Sequence, residues 1–449
     1  MDEVASARDA STRVFPNALL AIVVLGICFV VPALLLGAWV DQNPKFSPID
    51  EAAHLDYVIR VANGEIPRTG ELITPEGARI IACTSVNLKG LVLPDCNAKH
   101  IRLRSMPAGG YQYEAQQPPL YYATTAVLRK PVSLLGVDDL TATRITGYLW
   151  WSLGLFVLWV ATRKLRIDPW ISAAVLLLIT CTPDVIVYSS IVSNDAPSLL
   201  LGSLALLCMV LALHAPTRGK TVLLVAVGVA AGLTKFSDLF PIVALALYAA
   251  WTLASEHGGV RAAVRPWLRT GGALLGGALV ATLAWQLVRA HLQLIDPRTL
   301  PISVENPLHG GLRLGPFISQ LVSLFGPATD SISSIWVADS VQTSFIEITR
   351  TLLLVAAFLG VFVRPRLWFH RLGLSTLVAM VVCGTALAYA FWATLGQNPV
   401  TQSRYGLALV PLLGAALAGA GGNARDRKVT IAFGALSVLY LAATLSVFA

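Results

Sequence analysis

Apolar runs long enough to cross a membrane dominate this chain and limit what it can fold into. A helix needs about 20 apolar residues to cross the hydrocarbon core of a bilayer. Runs near this length lie at 17–40, 141–161, 170–190, 196–213, 221–234, 236–254, 270–289, 346–363, 373–395, 405–420 and 429–449. The 449 residues are 55% apolar and only 13% charged, far below the charged share of soluble proteins. We therefore predict an all-α integral membrane protein with about eleven transmembrane helices, in the range of about ten to twelve.

Basic residues are concentrated in every second connection between these runs. They lie at Arg8 and Arg13 and then at 163–166, 218–220, 261–269, 364–371 and 425–428. Because cytoplasmic loops retain Lys and Arg, this pattern predicts a multi-pass plasma-membrane protein with a cytoplasmic amino terminus. The first run is too long for a cleaved signal sequence and is expected to be a signal anchor. The net charge of +8 is spread over these short loops, so it does not indicate nucleic-acid binding.

With this orientation, two long loops fall on the extracytoplasmic side. They span about 41–140 and 290–345, and we expect residues 1–449 to form a single polytopic membrane domain that carries both. The segment 316–325 in the second loop is apolar enough to lie on the bilayer surface, or to pack on the spans as a short helix. In the first loop, Cys83 and Cys96 are expected to form a disulfide, with free thiols as the alternative.

The densest polar cluster follows the first apolar run. Asp50, Glu51, His54 and Tyr57 come just after Pro48, a pattern typical of a helix start. At helical spacing, Asp50, His54 and Tyr57 share one face. Three interpretations stay open: a helix cap at the lipid interface, a metal site with Glu-x-x-His spacing, or a general base that takes the proton of an acceptor hydroxyl.

Other polar residues lie at the outer ends of later runs. Asn194 and Asp195 precede the fourth run, where Asp195 would also serve as a helix cap. Lys235 lies on the outer side, against the positive-inside rule. Arg404 is the only charge in the last outer loop, and its planar guanidinium matches phosphate oxygens. Carboxylates and cations in this combination suit a hydroxyl acceptor and a phosphate-bearing donor. The sequence contains no Asp-x-Asp triplet, which is typical of enzymes that use nucleotide sugars, so a lipid-linked sugar phosphate is the better match for the donor.

These residues also resemble a known family. Asp50-Glu51-x-x-His54 after the first run resembles the first-loop signature of the GT-C superfamily of polyprenyl-phosphate-sugar-dependent glycosyltransferases. The resemblance is strongest to uncharacterised bacterial multi-span members. Further similar positions follow in the same order over most of the chain, at 117–122, 194–196, 234–236, 404–405 and Pro411.

The resemblance implies an enzyme with its active site on the extracytoplasmic face. It would transfer a hexosyl or pentosyl group, with inversion, from a polyprenyl-phosphate-linked sugar to a hydroxyl of a cell-envelope glycan, lipid or protein. The catalytic pair would be Asp50 as the base and Glu51, and the donor phosphate would be bound by Arg404, Lys235 and Tyr405. Supporting or acceptor-binding residues would be His54, Tyr57, Gln117, Tyr121, Asn194 and Asp195. No cofactor is certain, and a divalent cation near Glu51, His54 and Asp195 stays an open alternative.

Two other function classes compete with this interpretation. A transporter or flippase for a lipid-linked or anionic solute would use Lys235 and Arg404 as counter-charges, and buried charges with pairs of broken helices would favour it. A membrane scaffold without catalysis would scatter the polar residues over unrelated surfaces. Clustering in one cavity of the five charged residues Asp50, Glu51, Asp195, Lys235 and Arg404 would favour the enzyme.

Overall fold

The computed structural model describes residues 17–301, 309–315, 318, 340–362, 367–398, 403–423 and 426–448. Within these ranges the chain is helical, with four isolated β-bridges and no strand. The helices are α1 Ala18–Gln42, α2 Glu51–Ala62, α3 Pro75–Thr84, α4 Leu120–Ser133, α5 Asp139–Lys164, α6 Pro169–Thr180, α7 Pro183–Ser190, α8 Ser198–His214, α9 Arg218–Gly232, α10 Leu239–Glu256, α11 Val260–Leu268, α12 Gly271–His291, α13 Ser340–Phe362, α14 Trp368–Leu395, α15 Val410–Asn423 and α16 Arg427–Ser446. The predicted surface segment 316–325 lies outside the described residues except for Ile318.

Eight helical segments in the described part of the chain are long and apolar enough to cross a membrane. They are Ala18–Gln42, Asp139–Lys164, Phe236–Glu256, Gly271–His291, Ser340–Phe362, Trp368–Leu395, Arg404–Asn423 and Arg427–Ser446. The bent pair α6 and α7 would add a ninth span. The all-helical multi-pass membrane class is therefore confirmed, but the count of eleven is not. Two of the predicted spans form helices of only 17 and 15 residues, α8 and α9, which are short for a full crossing.

The run predicted as one span at 170–190 is broken in two. Helix α6 ends at Thr180, and α7 begins at Pro183 at an angle of 62° to it. Proline has no backbone N–H to continue the helix and favours the first helical turn, so Pro183 both ends one helix and begins the next. The break leaves α7 short, and the chain then turns through 191–197 into α8.

Glycines permit close helix contacts behind the polar cluster. A Cβ atom on Gly147 of α5 would lie 1.9 Å from the carbonyl oxygen of Ser189, and one on Gly202 of α8 would lie 2.2 Å from that of Ala408. Both carbonyls belong to backbone that cannot move away like a flexible side chain. These two contacts hold the end of α7 and the 3-10 turn Ser403–Leu409 close to the helices that surround the site.

The segment between α1 and α5 folds around its own apolar core. Residues of this core include Phe46, Leu55, Tyr57, Tyr121 and Tyr122, all nearly inaccessible to solvent. Cys83 and Cys96 are joined by a disulfide, with their Cα atoms 4.7 Å apart. Backbone bonds between Thr69 and the residues just after α12 attach this unit to the beginning of the second predicted loop.

Candidate active site

Four separate segments of the chain bring charged side chains together next to α2. Asp50 immediately precedes α2, with a left-handed backbone at φ 58° and ψ −3°, a conformation that Asp tolerates better than most residues. Its side chain is 28% exposed and makes no capping hydrogen bond with the helix. The guanidinium of Arg404 donates from Nη2 to Asp50 Oδ2 over 3.1 Å. Asp50 thus occupies the position just before α2, but its carboxylate faces Arg404 and does not cap the helix.

Asp195 connects the two cations of the site. Lys235 donates from Nζ to Asp195 Oδ1 at 2.5 Å, and Arg404 Nε lies 3.8 Å from Asp195 Oδ2. The hydroxyl of Ser193 donates to the same Oδ2 at 3.1 Å. Burial opposes ionisation of Asp195, but Lys235 and Arg404 outweigh it and lower the pKa of this carboxyl. Asp50, Arg404, Asp195 and Lys235 thus form a chain of alternating charges, which we call the charge cluster.

Two tyrosine rings line the cationic part of the charge cluster. The centre of the Tyr405 ring lies 5.0 Å from Lys235 Nζ and 5.4 Å from Arg404 Cζ. Arg404 Cζ also lies 5.5 Å from the centre of the Tyr188 ring. Aromatic faces attract cations, and rigid rings restrict the motion of long basic side chains. Tyr405 therefore lies beside both cations, and Tyr188, for which the sequence gave no signal, lies beside Arg404.

A buried polar group lies on the other side of Asp50. Burial, followed by the negative charge of Asp50, raises the pKa of Tyr113, so its hydroxyl stays protonated near that carboxylate. Next to it, Glu114 is 8% exposed, and its Oε2 lies 3.9 Å from Nδ1 of His54. His54 Nδ1 is hydrogen-bonded to the Tyr122 hydroxyl at 2.8 Å, and the Tyr122 ring stacks on Tyr57 at 3.7 Å. His54 is thus fixed by its ring partners behind the charge cluster.

Glu51 has a different environment from its neighbour Asp50. It is fully buried, and Arg144 donates to both of its carboxylate oxygens, from Nε at 2.8 Å and from Nη2 at 2.7 Å. The backbone N–H groups of Ser47 and Val192 donate to the same carboxylate at 2.7 and 2.8 Å. All four strong acceptor directions of the carboxylate are occupied. This leaves Glu51 no accessible oxygen for a substrate and makes it a connection between α2, α5 and the segment 191–197.

The other expected residues lie near the cluster through different contacts. Tyr57 donates its hydroxyl to the backbone oxygen of Gln117 at 3.1 Å, and the Tyr121 hydroxyl accepts from the backbone N–H of Ser193 at 3.1 Å. Asn194 is 1% exposed, and its Nδ2 has no hydrogen-bond partner among the described residues. Tyr57 and Tyr121 therefore connect the loop segments, while Asn194 offers a buried donor next to Asp195.

The structure also brings in residues that sequence reasoning missed. None of these residues was expected to take part. Contacts with expected site residues are made by Arg144, Glu114, Tyr122 and Tyr188, and Tyr113 interacts electrostatically with Asp50. The stretch around Gln117 already contained Tyr113, Glu114 and Tyr122, so the signal was present in the sequence. Among the described residues, no group of three or more His, Cys, Asp and Glu side chains has an arrangement that could hold a metal ion.

Comparison with known proteins finds structural similarity only. No protein-family model matches the sequence, and no curated protein matches it significantly. The protein O-mannosyltransferase complex Pmt1-Pmt2 of S. cerevisiae, bound to the sugar donor, is 13% identical over 64% of this chain and 36% of its own, with a TM-score of 0.42. The Archaeoglobus fulgidus oligosaccharyltransferase in complex with Zn and sulfate is 13% identical over 93% of this chain and 52% of its own, with a TM-score of 0.46.

A second structure of that archaeal enzyme, AglB with an inhibitory peptide and a dolichol-phosphate, is 14% identical over 93% of this chain, with a TM-score of 0.44. The chain spans between 36% and 55% of the length of these solved chains.

Proposed function

We propose that this protein is a membrane glycosyltransferase that moves a sugar from a polyprenyl-phosphate donor to a hydroxyl acceptor with inversion. The observation that carries the proposal is the contact of Asp50 with Arg404 inside one cluster that also holds Asp195 and Lys235. These four residues come from four segments far apart in the sequence. Gathering them in a partly dry site has a large desolvation cost, which is typical of functional sites.

The cations are suited to the leaving group. When the bond between sugar and phosphate breaks, negative charge develops on the departing phosphate. Arg404 and Lys235, at 7% and 6% exposure, are held by Asp195 and by the ring of Tyr405 before any substrate arrives. Preorganised charges of this kind stabilise a developing anion by a few kcal/mol per donor. Arg404 and Lys235 are therefore the phosphate-binding pair of the proposal, and Tyr405 restricts their positions.

Asp50 is suited to the acceptor hydroxyl. It is the most exposed carboxylate of the cluster, with 28% of its side chain accessible, while the side chain of Asp195 is fully buried. A carboxylate that receives the acceptor proton as the new bond forms contributes about 10²- to 10⁴-fold to the rate. Attack from the Asp50 side, with the phosphate leaving toward the cations, inverts the configuration at the sugar carbon.

The pairing of Asp50 with Arg404 gives the reaction an order. In the absence of ligands, the proposed base and the proposed phosphate-binding group neutralise each other over 3.1 Å. A donor phosphate that takes up Arg404 weakens this pair and leaves the Asp50 carboxylate free to accept a proton. The donor therefore binds first, and the acceptor meets an active base only when the donor is present.

The remaining parts of the proposal concern location and acceptor. The active site opens on the extracytoplasmic side of the plasma membrane, consistent with the basic residues of the intervening connections. The acceptor is a cell-envelope glycan, lipid or protein. His54, Tyr57, Gln117, Tyr121 and Asn194 support the site or contact the acceptor, and Glu51 acts with Arg144 to position Asp50 rather than as a second base.

One observation favours the transporter as a second candidate. The break between α6 and α7, bent by 62°, resembles the interrupted helices that bind solutes in transporters. A transporter would move a lipid-linked solute without breaking the bond between its sugar and its phosphate. An assay for cleavage of the bond between sugar and phosphate therefore distinguishes the enzyme from the transporter.

The experiment uses purified protein reconstituted in lipid with a panel of polyprenyl-phosphate sugars and soluble hydroxyl acceptors. The proposal predicts release or transfer of sugar with at least one donor, and a loss of about 10²-fold or more in the Arg404→Ala variant. Arg68→Ala is the matched control, because Arg68 forms an exposed ion pair with Glu71. Transbilayer movement of an intact donor, without cleavage, would contradict the enzyme and support the transporter.

A further inference from the structure

A third acidic side chain, that of Glu114, lies beside the charge cluster and is buried without strong donors. Only 8% of the residue is exposed. Its backbone N–H is held by the side-chain oxygen of Gln112 at 3.1 Å, which fixes the turn Tyr113–Gln116. Within the described part of the chain, no hydrogen bond reaches its carboxyl oxygens, and His54 Nδ1 is 3.9 Å away. A buried carboxylate ordinarily needs several donors, so this environment favours the neutral acid.

The groups that act on Glu114 come from every element packed around it. They are His54 and Tyr57 on α2, Tyr122 on α4, and Asp50, Tyr113, Asp195, Lys235 and Arg404 in the adjoining segments. The two cations attract a negative charge on Glu114, and the two aspartates repel it. The state of Glu114 is therefore coupled to the same residues that the proposed donor phosphate would contact.

Counting charges shows what ionisation of Glu114 would do. Asp50 and Asp195 contribute two negative charges, and Lys235 and Arg404 contribute two positive charges, so the cluster is neutral while Glu114 is protonated. Ionised Glu114 gives the site a net negative charge. A donor phosphodiester carries one further negative charge and would have to enter against that excess.

We propose that Glu114 works as a neutral carboxylic acid in this site and that its ionisation blocks binding of the phosphate-bearing donor at Arg404 and Lys235. The inference rests on the proposed function. In its neutral form the acid leaves both cations available to the phosphate. In its ionised form it competes with the phosphate for them. Glu114 is thus a positioning residue that controls the electrostatics of donor binding.

The pKa values of Glu114 and its neighbours show which of these groups changes its charge near pH 8. Burial, followed by the charge of Asp50, raises the pKa of Glu114 to about 8, against the opposing effect of Lys235 and Arg404. Burial and the two cations lower the pKa of His54, so this ring stays neutral in the same pH range. Burial raises the pKa values of Tyr113 and Tyr122, so both stay protonated. Among these neighbours, Glu114 is the group whose charge changes as the pH passes about 8. Asp238, which accepts a hydrogen bond from the Ser198 hydroxyl at 2.6 Å and also acts on Lys235, is a separate carboxyl, and Glu114→Gln distinguishes the two.

The sign of the pH dependence follows from the raised pKa. Below about pH 8 the acid is neutral and the donor binds; above it the acid ionises and affinity is lost. If only the neutral form binds, the apparent Kd rises about tenfold between about pH 7 and about pH 9. The probe is a polyprenyl phosphodiester of glucose, whose single negative charge is constant over this range. Its Kd is measured by titration of the full-length protein in lipid nanodiscs.

Two variants and the unmodified protein complete the test. In Glu114→Gln, which keeps the shape of the neutral acid, the Kd is expected to change less than about twofold over the same pH range. Glu76→Gln removes an exposed carboxylate from the first turn of α3 and is expected to keep the tenfold change. A Kd of the unmodified protein that is independent of pH would overturn the inference, as would an unchanged pH profile in Glu114→Gln. Failure of this probe and of every other polyprenyl-phosphate sugar in the panel to bind at any pH would overturn the proposed function, whereas pH-independent binding of any of them would overturn this inference alone.

Discussion

Replacement of Arg144 by methionine removes the cation that holds Glu51. Arg144 is 1% exposed and donates to Glu51 at 2.8 and 2.7 Å and also to the backbone oxygens of Asn43 and Lys45 at 2.6 and 2.9 Å. The variant leaves a fully buried carboxylate with two backbone donors and no counter-charge. Breaking a buried ion pair by removing one partner costs about 3–5 kcal/mol, so we expect a loss of that size in the free energy of unfolding.

The matched control is an ion pair of the same length on the surface. Arg68 Nε lies 2.7 Å from Glu71 Oε1, but the Arg68 side chain is 51% exposed. Arg68→Met is expected to cost less than about 1 kcal/mol, because water replaces the lost partner. Both variants are compared with the unmodified protein by denaturant unfolding in the same detergent.

A second substitution tests the cause. Adding Glu51→Gln to Arg144→Met removes the uncompensated charge. The free energy of unfolding of the double variant should exceed that of Arg144→Met by at least about 1 kcal/mol, because the effects of two residues in contact are not additive. If Arg144→Met costs no more than Arg68→Met, or if the double variant is less stable than Arg144→Met alone, the assignment of Glu51 to a structural ion pair is refuted.

Two further predictions concern packing and covalent structure. Gly147→Ala would place its Cβ 1.9 Å from the Ser189 carbonyl oxygen, so we expect a loss of about 1–3 kcal/mol in the free energy of unfolding. The control is Gly276→Ala, which has no atom within 4 Å of its Cβ and should not destabilise the protein. Equal stability of the two variants would argue against the close contact of α5 and α7. Cys83→Ser opens a disulfide between residues 13 apart and should lower the free energy of unfolding by about 3 kcal/mol under oxidising conditions. If the variant is less stable than the unmodified protein by the same amount under reducing conditions, the effect comes from the substituted side chain and not from the disulfide.

Local sequence patterns predicted much of the fold because membrane insertion is governed by local hydropathy. Each of the eleven predicted runs contains a helix in the structure. The break at Pro183 was missed, since the run 170–190 is apolar as a whole and Pro183, flanked by Thr182 and Asp184, did not interrupt it in the hydropathy pattern. Helices α8 and α9, of 17 and 15 residues, agree in length with the predicted runs 196–213 and 221–234. The span count was too high because these runs were counted as spans although they are shorter than the roughly 20 residues that a crossing needs.

The site was harder to predict because its contacts join distant parts of the chain. Asp50 and Arg404 are 354 residues apart, and they were selected by residue type and position on the outer side rather than by any signal that they meet. Arg144 looked like one more basic residue at the beginning of an apolar run, and its pairing with Glu51 across 93 residues leaves no local trace. Glu114 lay in a tyrosine-rich stretch with the pattern of an interfacial turn, and only tertiary packing buries it next to His54.

The most direct test of the proposed mechanism is to measure donor binding and turnover together in Asp50→Asn. Asparagine keeps the size of the side chain and tolerates the left-handed backbone at this position, so folding should be retained. The variant loses the base, and it also releases Arg404 from its ion pair. The account predicts sugar transfer lowered by about 10²- to 10⁴-fold, with donor Kd equal to or lower than that of the unmodified protein. Turnover close to that of the unmodified protein would contradict the role of Asp50, and weaker donor binding would contradict its pairing with the phosphate-binding arginine.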